Sequence, residues 1–284
     1  MRIAVTGATG FVGRRLRELA AARGHDVVPI GRSEGRLWSP EAGPAPLGDV
    51  DAVVHLAGEP VAEGRWTKAK KARIRDSRVL GTRNLVAGLA GSPAKVLVCA
   101  SAVGLYGDRG DEELTEASAP GDDFLARTCL EWEAEAARAP VRTVRLRIGI
   151  VLGPGGGALG KMLTPFKLGL GGRLGDGRQW MSWIHRDDLA GLILHAVESD
   201  RAEGALLGTA PDPVRNADFT KALGRALGRW TILPMPRWQV RLLFGEVAAV
   251  LCGSQRCRPE RTLASGFGFR FADLDAALAD AVKP

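Results

Sequence analysis

Short apolar runs rich in β-branched residues alternate with longer amphipathic segments through the first half of the chain. The runs predicted to be strands cover residues 3–6, 26–30, 52–56, 96–101 and 143–148. Between them, apolar positions recur at helical spacing in residues 11–23, 66–89 and 123–138. This alternation predicts βαβ units and a parallel sheet that is covered by helices on both faces.

A glycine-rich turn joins the first predicted strand to the first predicted helix. Its spacing is G-x-x-G-x-x-G, where the first glycine permits a tight turn, the second a close approach of backbone to a pyrophosphate, and the third close packing of helix on strand. The helix N-terminus then faces the anion. We therefore predict a dinucleotide site whose contacts in this turn are Gly7, Thr9, Gly10, Phe11, Val12 and Gly13.

The end of the second predicted strand indicates which dinucleotide is bound. An acidic residue there would bind the ribose 2′-hydroxyl of NAD, whereas a basic residue accommodates the 2′-phosphate of NADP. The strand is followed by Gly31, Arg32 and Ser33, with Arg36 close behind. Arg32 offers a planar fork of donors and Ser33 a hydroxyl, so NADP(H) is the expected cofactor. The alternative for Arg32 is a solvated surface arginine.

These signals predict an α/β fold, a Rossmann-type doubly wound parallel sheet with a smaller, mostly helical C-terminal substrate lobe. The periodic pattern loosens after a glycine run at 153–157, and the tail is helical with an interruption at 266–271. We expect a nucleotide-binding domain over residues 1–155. Second-lobe elements interleaved with the last strands follow over 156–236, and a small helical domain over 237–284.

Composition narrows the classes of function. With 284 residues, 45% of them hydrophobic and 25% charged, the chain can bury a large core. The long apolar stretch at 240–252 falls short of the about 20 residues of a membrane span, and no secretory signal opens the chain, so we expect a cytoplasmic protein without a membrane partner. The net charge is +7. The densest basic run of the sequence, 68–75, lacks interleaved aromatic residues and favours an exposed helix face over nucleic-acid binding.

The four cysteines form no C-x-x-C pair and the four histidines are scattered, so neither a metal site nor a disulfide framework is expected.

Further motifs resemble the extended short-chain dehydrogenase/reductases, the superfamily of NAD(P)-dependent epimerases and dehydratases. They are His55-Leu56-Ala57-Gly58, the segments 101–107 and 147–154, and Trp183-Ile184-His185-Arg186-Asp187-Asp188. Ala57-Gly58-Glu59-Pro60, 76–78, 159–162 and the tail segments 253–256 and 266–270 are similar to an atypical "epimerase family protein" branch with a short C-terminal domain. The resemblance implies that Leu56, Ala57, Gly58 and Ser101 also contact the cofactor.

The catalytic pair of that superfamily, Tyr-x-x-x-Lys, is missing. The one tyrosine, Tyr106, is followed four residues later by Gly110. Alignment of the third predicted helix on Glu133 places Leu125 and Cys129 at the two positions, and a shift of one residue places Phe124 and Thr128 there. Candidate catalytic groups are then Ser101, with Ala102 as the competing alignment, and Cys129 as a proton donor. Tyr106 and Arg178 are the candidate substrate contacts.

The resulting hypothesis is an NADP(H)-dependent oxidoreductase or epimerase-like enzyme that acts on a small polar molecule, such as a sugar nucleotide or a carbonyl compound. The alternative is a non-catalytic NADP(H)-binding redox sensor or scaffold. By analogy with the fold family, we expect a monomer or a homodimer.

Overall fold

A computed structural model describes residues 1–283 of the chain. The strands are β1 (Arg2–Thr6), β2 (Asp26–Gly31), β3 (Arg36–Leu37), β4 (Ala52–His55), β5 (Val96–Ala102), β6 (Glu113–Leu114), β7 (Arg142–Ile148), β8 (Ile150–Leu152), β9 (Trp180–Met181), β10 (Trp183–His185), β11 (Gly204–Gly208), β12 (Val214–Arg215) and β13 (Arg256–Cys257). The α-helices are α1 (Phe11–Ala22), α2 (Lys68–Leu89), α3 (Phe124–Ala136), α4 (Gly157–Lys167), α5 (Arg186–Glu198), α6 (Asn216–Leu227), α7 (Arg237–Phe244), α8 (Ala248–Cys252), α9 (Glu260–Ala264) and α10 (Leu274–Ala281). Short 3-10 helices cover Val103–Tyr106 and Gly245–Val247.

Seven parallel strands form the central sheet in the order β11-β7-β5-β4-β1-β2-β3. After β1 the chain adds β2 and β3 on one side, and then β4, β5, β7 and β11 on the other. The strand order therefore reverses between β1 and β4. In open sheets of this kind, ligands bind at the carboxyl ends of the strands beside such a reversal. The predicted doubly wound α/β fold is confirmed.

Helices cover both faces of the sheet because successive residues of each strand point to opposite sides. On one face, Ile3 and Val5 of β1 pack with Leu16 of α1 and with the apolar side of α5. On the other face, Ala4 packs with Leu85 of α2 and Trp132 of α3. Both clusters are sealed from water, which gives a rigid sheet under the loops at its carboxyl edge.

The predicted strands and helices are present with small shifts at their ends. The helix expected from residue 66 begins at Lys68, because the side chain of Thr67 accepts a hydrogen bond from the backbone N–H of Lys70 and caps it. Pro29 lies within β2, where it pairs with Val5 of β1 but has no partner in β3, which pairs only with Ile30 and Gly31.

The C-terminal residues return to the main body. The buried carboxylate of Asp188 accepts hydrogen bonds from the backbone N–H groups of Arg270 and Phe271, at 2.8 and 2.9 Å. The carboxylate of Glu116 likewise accepts from the backbone N–H groups of Leu207 and Thr262. A third apolar cluster joins α6, α10, α4 and β10. Of the helices within residues 1–283, none combines the length and apolar character that a membrane crossing requires.

Candidate functional site

The glycine turn after β1 is closed by backbone-to-backbone packing. Gly7 has φ +70°, a conformation that favours glycine, and the N–H of Gly10 donates to its carbonyl at 3.0 Å. A Cβ atom at Gly13 would lie 2.2 Å from the carbonyl oxygen of Gly7, and one at Gly7 would lie 2.9 Å from the carbonyl carbon of Leu56. Larger residues do not fit at either place.

The first turn of α1 begins on this loop without a side-chain cap. Gly10 occupies the N-cap position, so the first N–H groups of the helix have no side-chain acceptor there. The side chain of Phe11 packs against the glycine run before α4, where a Cβ atom at Gly157 would come within 2.7 Å of its ring. Thr9 is exposed beside the turn. The helix N-terminus is thus a donor-rich cradle for an anion.

Arg32 and Ser33 follow β2 directly and are exposed. Thr6 of β1 pairs with Ile30 of β2. The glycine turn and Arg32 therefore follow adjacent strands at the same edge of the sheet. Arg32 forms no ion pair within residues 1–283. Arg36 is engaged elsewhere, since its Nη1 donates to the carbonyl of Pro46 at 3.2 Å.

A buried threonine and histidine fix the loop after β4. The hydroxyl of Thr6 accepts hydrogen bonds from the N–H groups of Leu56 and Ala57, so it donates its own proton to Nδ1 of His55 at 2.6 Å. His55 is fully buried, and burial, helped by the charge of Arg78, lowers its pKa to about 4. This neutral pair holds Leu56, Ala57 and Gly58 beside the glycine turn.

Ser101 lies near the carboxyl end of β5, two residues past the paired position of Cys99 with His55. Its hydroxyl donates to Oε1 of Glu133 at 2.7 Å. Glu133 also accepts a bidentate pair from Arg147, with Nε···Oε1 and Nη2···Oε2 both at 2.9 Å. The competing position, Ala102, is half-buried and carries no polar side chain.

Tyr106 is fully buried. Its hydroxyl donates to the carbonyl of Thr115 and accepts from Nη1 of Arg147, both at 2.9 Å. Burial raises the pKa of this phenol well above its usual range. The hydroxyl therefore has no free donor for a substrate in this structure.

Helix α3 presents no tyrosine or lysine at the aligned positions. Leu125 lies against the backbone of Gly104, and Cys129 is buried. Burial raises the pKa of the Cys129 thiol to about 12, so the group stays protonated at neutral pH. In the shifted register, the hydroxyl of Thr128 donates to the carbonyl of Phe124 within the helix.

Arg178 is exposed in the loop before β9. Its carbonyl accepts a hydrogen bond from the side chain of Arg215, which also pairs with Asp111 at 2.6 Å. The side chain of Arg178 forms no ion pair with the part of the chain that the structure describes.

Sequence reasoning missed two residues that shape the site. Glu133 is bound by Ser101 and Arg147, residues brought together only by the register of β5 with β7. Arg78 of α2 reaches the loop after β4, where a Cβ atom at Gly58 would lie 3.3 Å from its guanidinium carbon. The sequence signal for Arg78 was its place in the segment 76–78, one of the segments similar to the epimerase family branch.

The chain is similar to known proteins in both sequence and structure. A model of the NAD dependent epimerase/dehydratase family matches residues 3–206, and a model of a domain of unknown function (DUF1731) matches residues 235–281. The chain is 41% identical over 293 residues to the human epimerase family protein SDR39U1, covering 99% of this chain and 100% of that protein. It is 38% identical to the epimerase family protein YfhF of Bacillus subtilis over 301 residues, 99% of this chain and 98% of that protein. The crystal structure of human SDR39U1 (isoform2) with NADPH superposes with a TM-score of 0.93 at 39% identity, over 99% of both chains.

Proposed function

Because the chain belongs to the NAD dependent epimerase/dehydratase family, as its motifs predicted, we propose that it binds NADP(H) along the carboxyl edge of its sheet. The pyrophosphate lies on the glycine turn and the first N–H groups of α1, and the 2′-phosphate on Arg32 and Ser33. The observation that carries the proposal is the placement of an uncapped helix N-terminus and an unpaired Arg32 on adjacent strand ends. The human relative that was solved with NADPH supports it.

The residues present fit this cofactor. The turn leaves no space for a Cβ atom at Gly7 or Gly13, which brings backbone N–H groups close to a phosphate. Leu56, Ala57 and Gly58, held by Thr6 and His55, line the next strand end. Ser101 would lie beside the nicotinamide half, because β5 is on the far side of β4 from β1.

We further propose that the protein is an oxidoreductase or epimerase-like enzyme for a small polar substrate, such as a sugar nucleotide or a carbonyl compound. NADPH supplies a hydride when bound. The hydroxyl of Ser101 donates to Glu133 and keeps its lone pairs free to accept from a substrate hydroxyl. Cys129 stays a thiol at neutral pH because burial raises its pKa to about 12, which makes it a weak proton donor to a substrate. Arg178 remains our candidate for an anionic substrate group.

A second candidate function is a non-catalytic NADP(H)-binding sensor or scaffold. It is favoured by the state of Tyr106, whose donor is already used and whose pKa is raised by burial. Transfer of deuterium from labelled NADPH to a panel of carbonyl compounds and sugar nucleotides separates the two. Stereospecific transfer that falls in Ser101→Ala supports the enzyme, and absence of transfer with every compound supports the sensor.

Titration with NADPH and NADH tests cofactor binding, followed by energy transfer from the seven tryptophans. We expect a preference for NADPH in the wild type. Arg32→Ala removes charge-assisted hydrogen bonds to the 2′-phosphate, which are worth about 1.5–3 kcal/mol, so NADPH affinity falls roughly ten- to hundredfold while NADH affinity is unchanged. Arg23→Ala, an exposed arginine paired with Glu198 at the other end of α1, is the control. If the protein binds neither NADPH nor NADH, the proposed cofactor site is wrong.

A further inference from the structure

We propose that a second copy of this chain covers an exposed apolar surface of the C-terminal region, with the two α7 helices packed antiparallel across a two-fold axis. This surface, the α7 face, consists of Trp230, Ile232, Trp238, Leu242 and Leu243. The inference is independent of the proposed cofactor site and of the substrate.

Exposed apolar side chains are concentrated in one short segment. Within residues 1–283, 14 large apolar side chains are exposed, and seven of them lie in residues 230–244. The five that form the α7 face are between 58% and 83% exposed. Single exposed apolar residues are common on soluble proteins, whereas a large contiguous apolar patch marks an interaction surface. The α7 face is therefore expected to have a partner.

Helix α7 turns its larger apolar side chains outward. Trp238 and Leu242 are four residues apart and therefore share one side of the helix. Val240, halfway between them, points to the opposite side and is the one buried residue of α7. A helix of eight residues is marginal by itself and depends on the packing of an apolar side. In α7 the side with the larger apolar residues is open to solvent.

The area of the α7 face suits a dimer. At these exposures its five side chains present on the order of 600 Å² of apolar surface, whereas a stable interface takes about 800 Å² from each partner. Leu233 and Phe244 of the same segment, 50% and 41% exposed, add to this area. The exposed residues 168–170 lie in the loop alongside, because the N–H of Met235 donates to the carbonyl of Arg173 at 2.9 Å. The surface is thus large enough for a second copy.

Charges at the two ends of α7 match an antiparallel copy. Arg237 is the first residue of α7, and Glu246 follows its last residue by two positions. Each charge opposes the dipole of its own helix, whose N-terminus is partially positive and whose C-terminus is partially negative. Although Glu246 pairs with Lys71, 60% of its side chain stays exposed.

In an antiparallel pair, Arg237 of one copy lies beside the C-terminal end of α7 and Glu246 of the other copy. The two-fold axis repeats this contact, so two arrangements that are unfavourable within one chain become favourable between two chains. This self-complementarity favours a second copy over a partner of a single charge sign, such as a lipid surface.

Sedimentation velocity of the full chain tests the proposal. The wild type is measured from about 1 to about 100 µM, which covers the micromolar upper end of dissociation constants for interfaces of this size. It is compared with Leu242→Asp and with the matched control Leu37→Asp, at a leucine that is 71% exposed on the edge strand β3. Equal circular dichroism spectra establish that each variant folds.

We expect a wild-type dimer whose dissociation constant rises at least about tenfold in Leu242→Asp, because an unpaired carboxylate is then buried twice at the two-fold contact. Leu37→Asp should sediment like the wild type. A wild type that is monomeric over the whole range would overturn the proposal, and so would a dimer that Leu242→Asp leaves intact. Binding of such a monomer to phosphatidylglycerol vesicles would identify a lipid surface as the occupant instead.

Exchange of the end charges tests the antiparallel arrangement. Arg237→Glu and Glu246→Arg are each expected to weaken the dimer roughly threefold or more, because each places like charges together at two symmetric contacts. The double variant restores opposite charges and should dimerise like the wild type. A double variant that is no tighter than the single variants would show that the two helices are not antiparallel.

Discussion

The buried carboxylate of Glu133 accepts hydrogen bonds from both Arg147 and Ser101. Arg147 contributes two hydrogen bonds of 2.9 Å and Ser101 one of 2.7 Å, and the guanidinium also donates to the hydroxyl of Tyr106 at 2.9 Å. Three elements, β5, β7 and α3, are thereby joined near the carboxyl ends of the two strands. Although burial acts to lower the pKa of Arg147, its hydrogen bonds with Glu133 raise it. The candidate catalytic hydroxyl is therefore positioned by a buried ion pair.

Replacement of Glu133 by glutamine is expected to destabilise the fold strongly. Removing one partner of a buried pair leaves the other charge uncompensated, which costs about 3–5 kcal/mol in free energy of unfolding. Urea denaturation measures the loss. Glu131→Gln, on the same helix and paired with Arg75 at the surface, is expected to change the free energy by no more than about 0.5 kcal/mol. Equal losses in the two variants would show that Arg147 does not depend on Glu133.

The sequence predicted the features that depend on local pattern. Strand and helix positions follow from apolar spacing, and the glycine turn follows from residues within one βα unit. The carboxylate of Glu133 was not predicted because its partners lie 14 and 32 residues away and meet it only through the strand register. The position of the Arg78 side chain was not predicted for the same reason, because Arg78 lies on α2 and its neighbour Gly58 follows β4. Tyr106 was predicted to contact the substrate, which stays a prediction; the hydrogen bond that its hydroxyl accepts from Arg147 depends on long-range packing and was not predicted.

Addition of one methyl group at Gly13 is expected to abolish dinucleotide binding. The new Cβ atom would lie 2.2 Å from the carbonyl oxygen of Gly7, so α1 must move away from the turn. Overpacking of this kind costs about 1–3 kcal/mol in stability and displaces the N–H groups that face the pyrophosphate.

The matched control is Gly160→Ala in α4, where a Cβ atom meets nothing within 4 Å. Alanine there is expected to stabilise the helix by up to about 1 kcal/mol and to leave binding intact. NADPH titration and thermal unfolding are measured for both variants. Undiminished binding by Gly13→Ala would place the dinucleotide elsewhere.

Stability is expected to fall as the pH drops below 6.5, and His55 accounts for part of the fall. Its pKa is lowered from 6.5 in the unfolded chain to about 4 by burial, so the unfolded state takes up a proton first. Between about pH 7.5 and about pH 5 this residue alone removes roughly 2 kcal/mol of unfolding free energy. His55→Asn keeps an acceptor for Thr6 but does not titrate. Urea unfolding at both pH values should show a flatter dependence in the variant, and parallel curves would contradict the assignment.

Loss of the Asp188 carboxylate is expected to release the C-terminal segment before the rest of the protein unfolds. In Asp188→Ala the N–H groups of Arg270 and Phe271 lose their acceptor, and each unsatisfied group costs about 1–3 kcal/mol. Apolar contacts, among them those of Phe267 and Phe269 with the core and of Phe271 with His185, then still hold the segment. Limited proteolysis under native conditions should cut after Ser265 faster than in wild type. Asp275→Ala, which removes an exposed pair with Arg225, serves as the control and should be cut at the wild-type rate. Equal cleavage of all three proteins would mean that packing alone, without the two hydrogen bonds, fixes the C-terminal segment on the sheet.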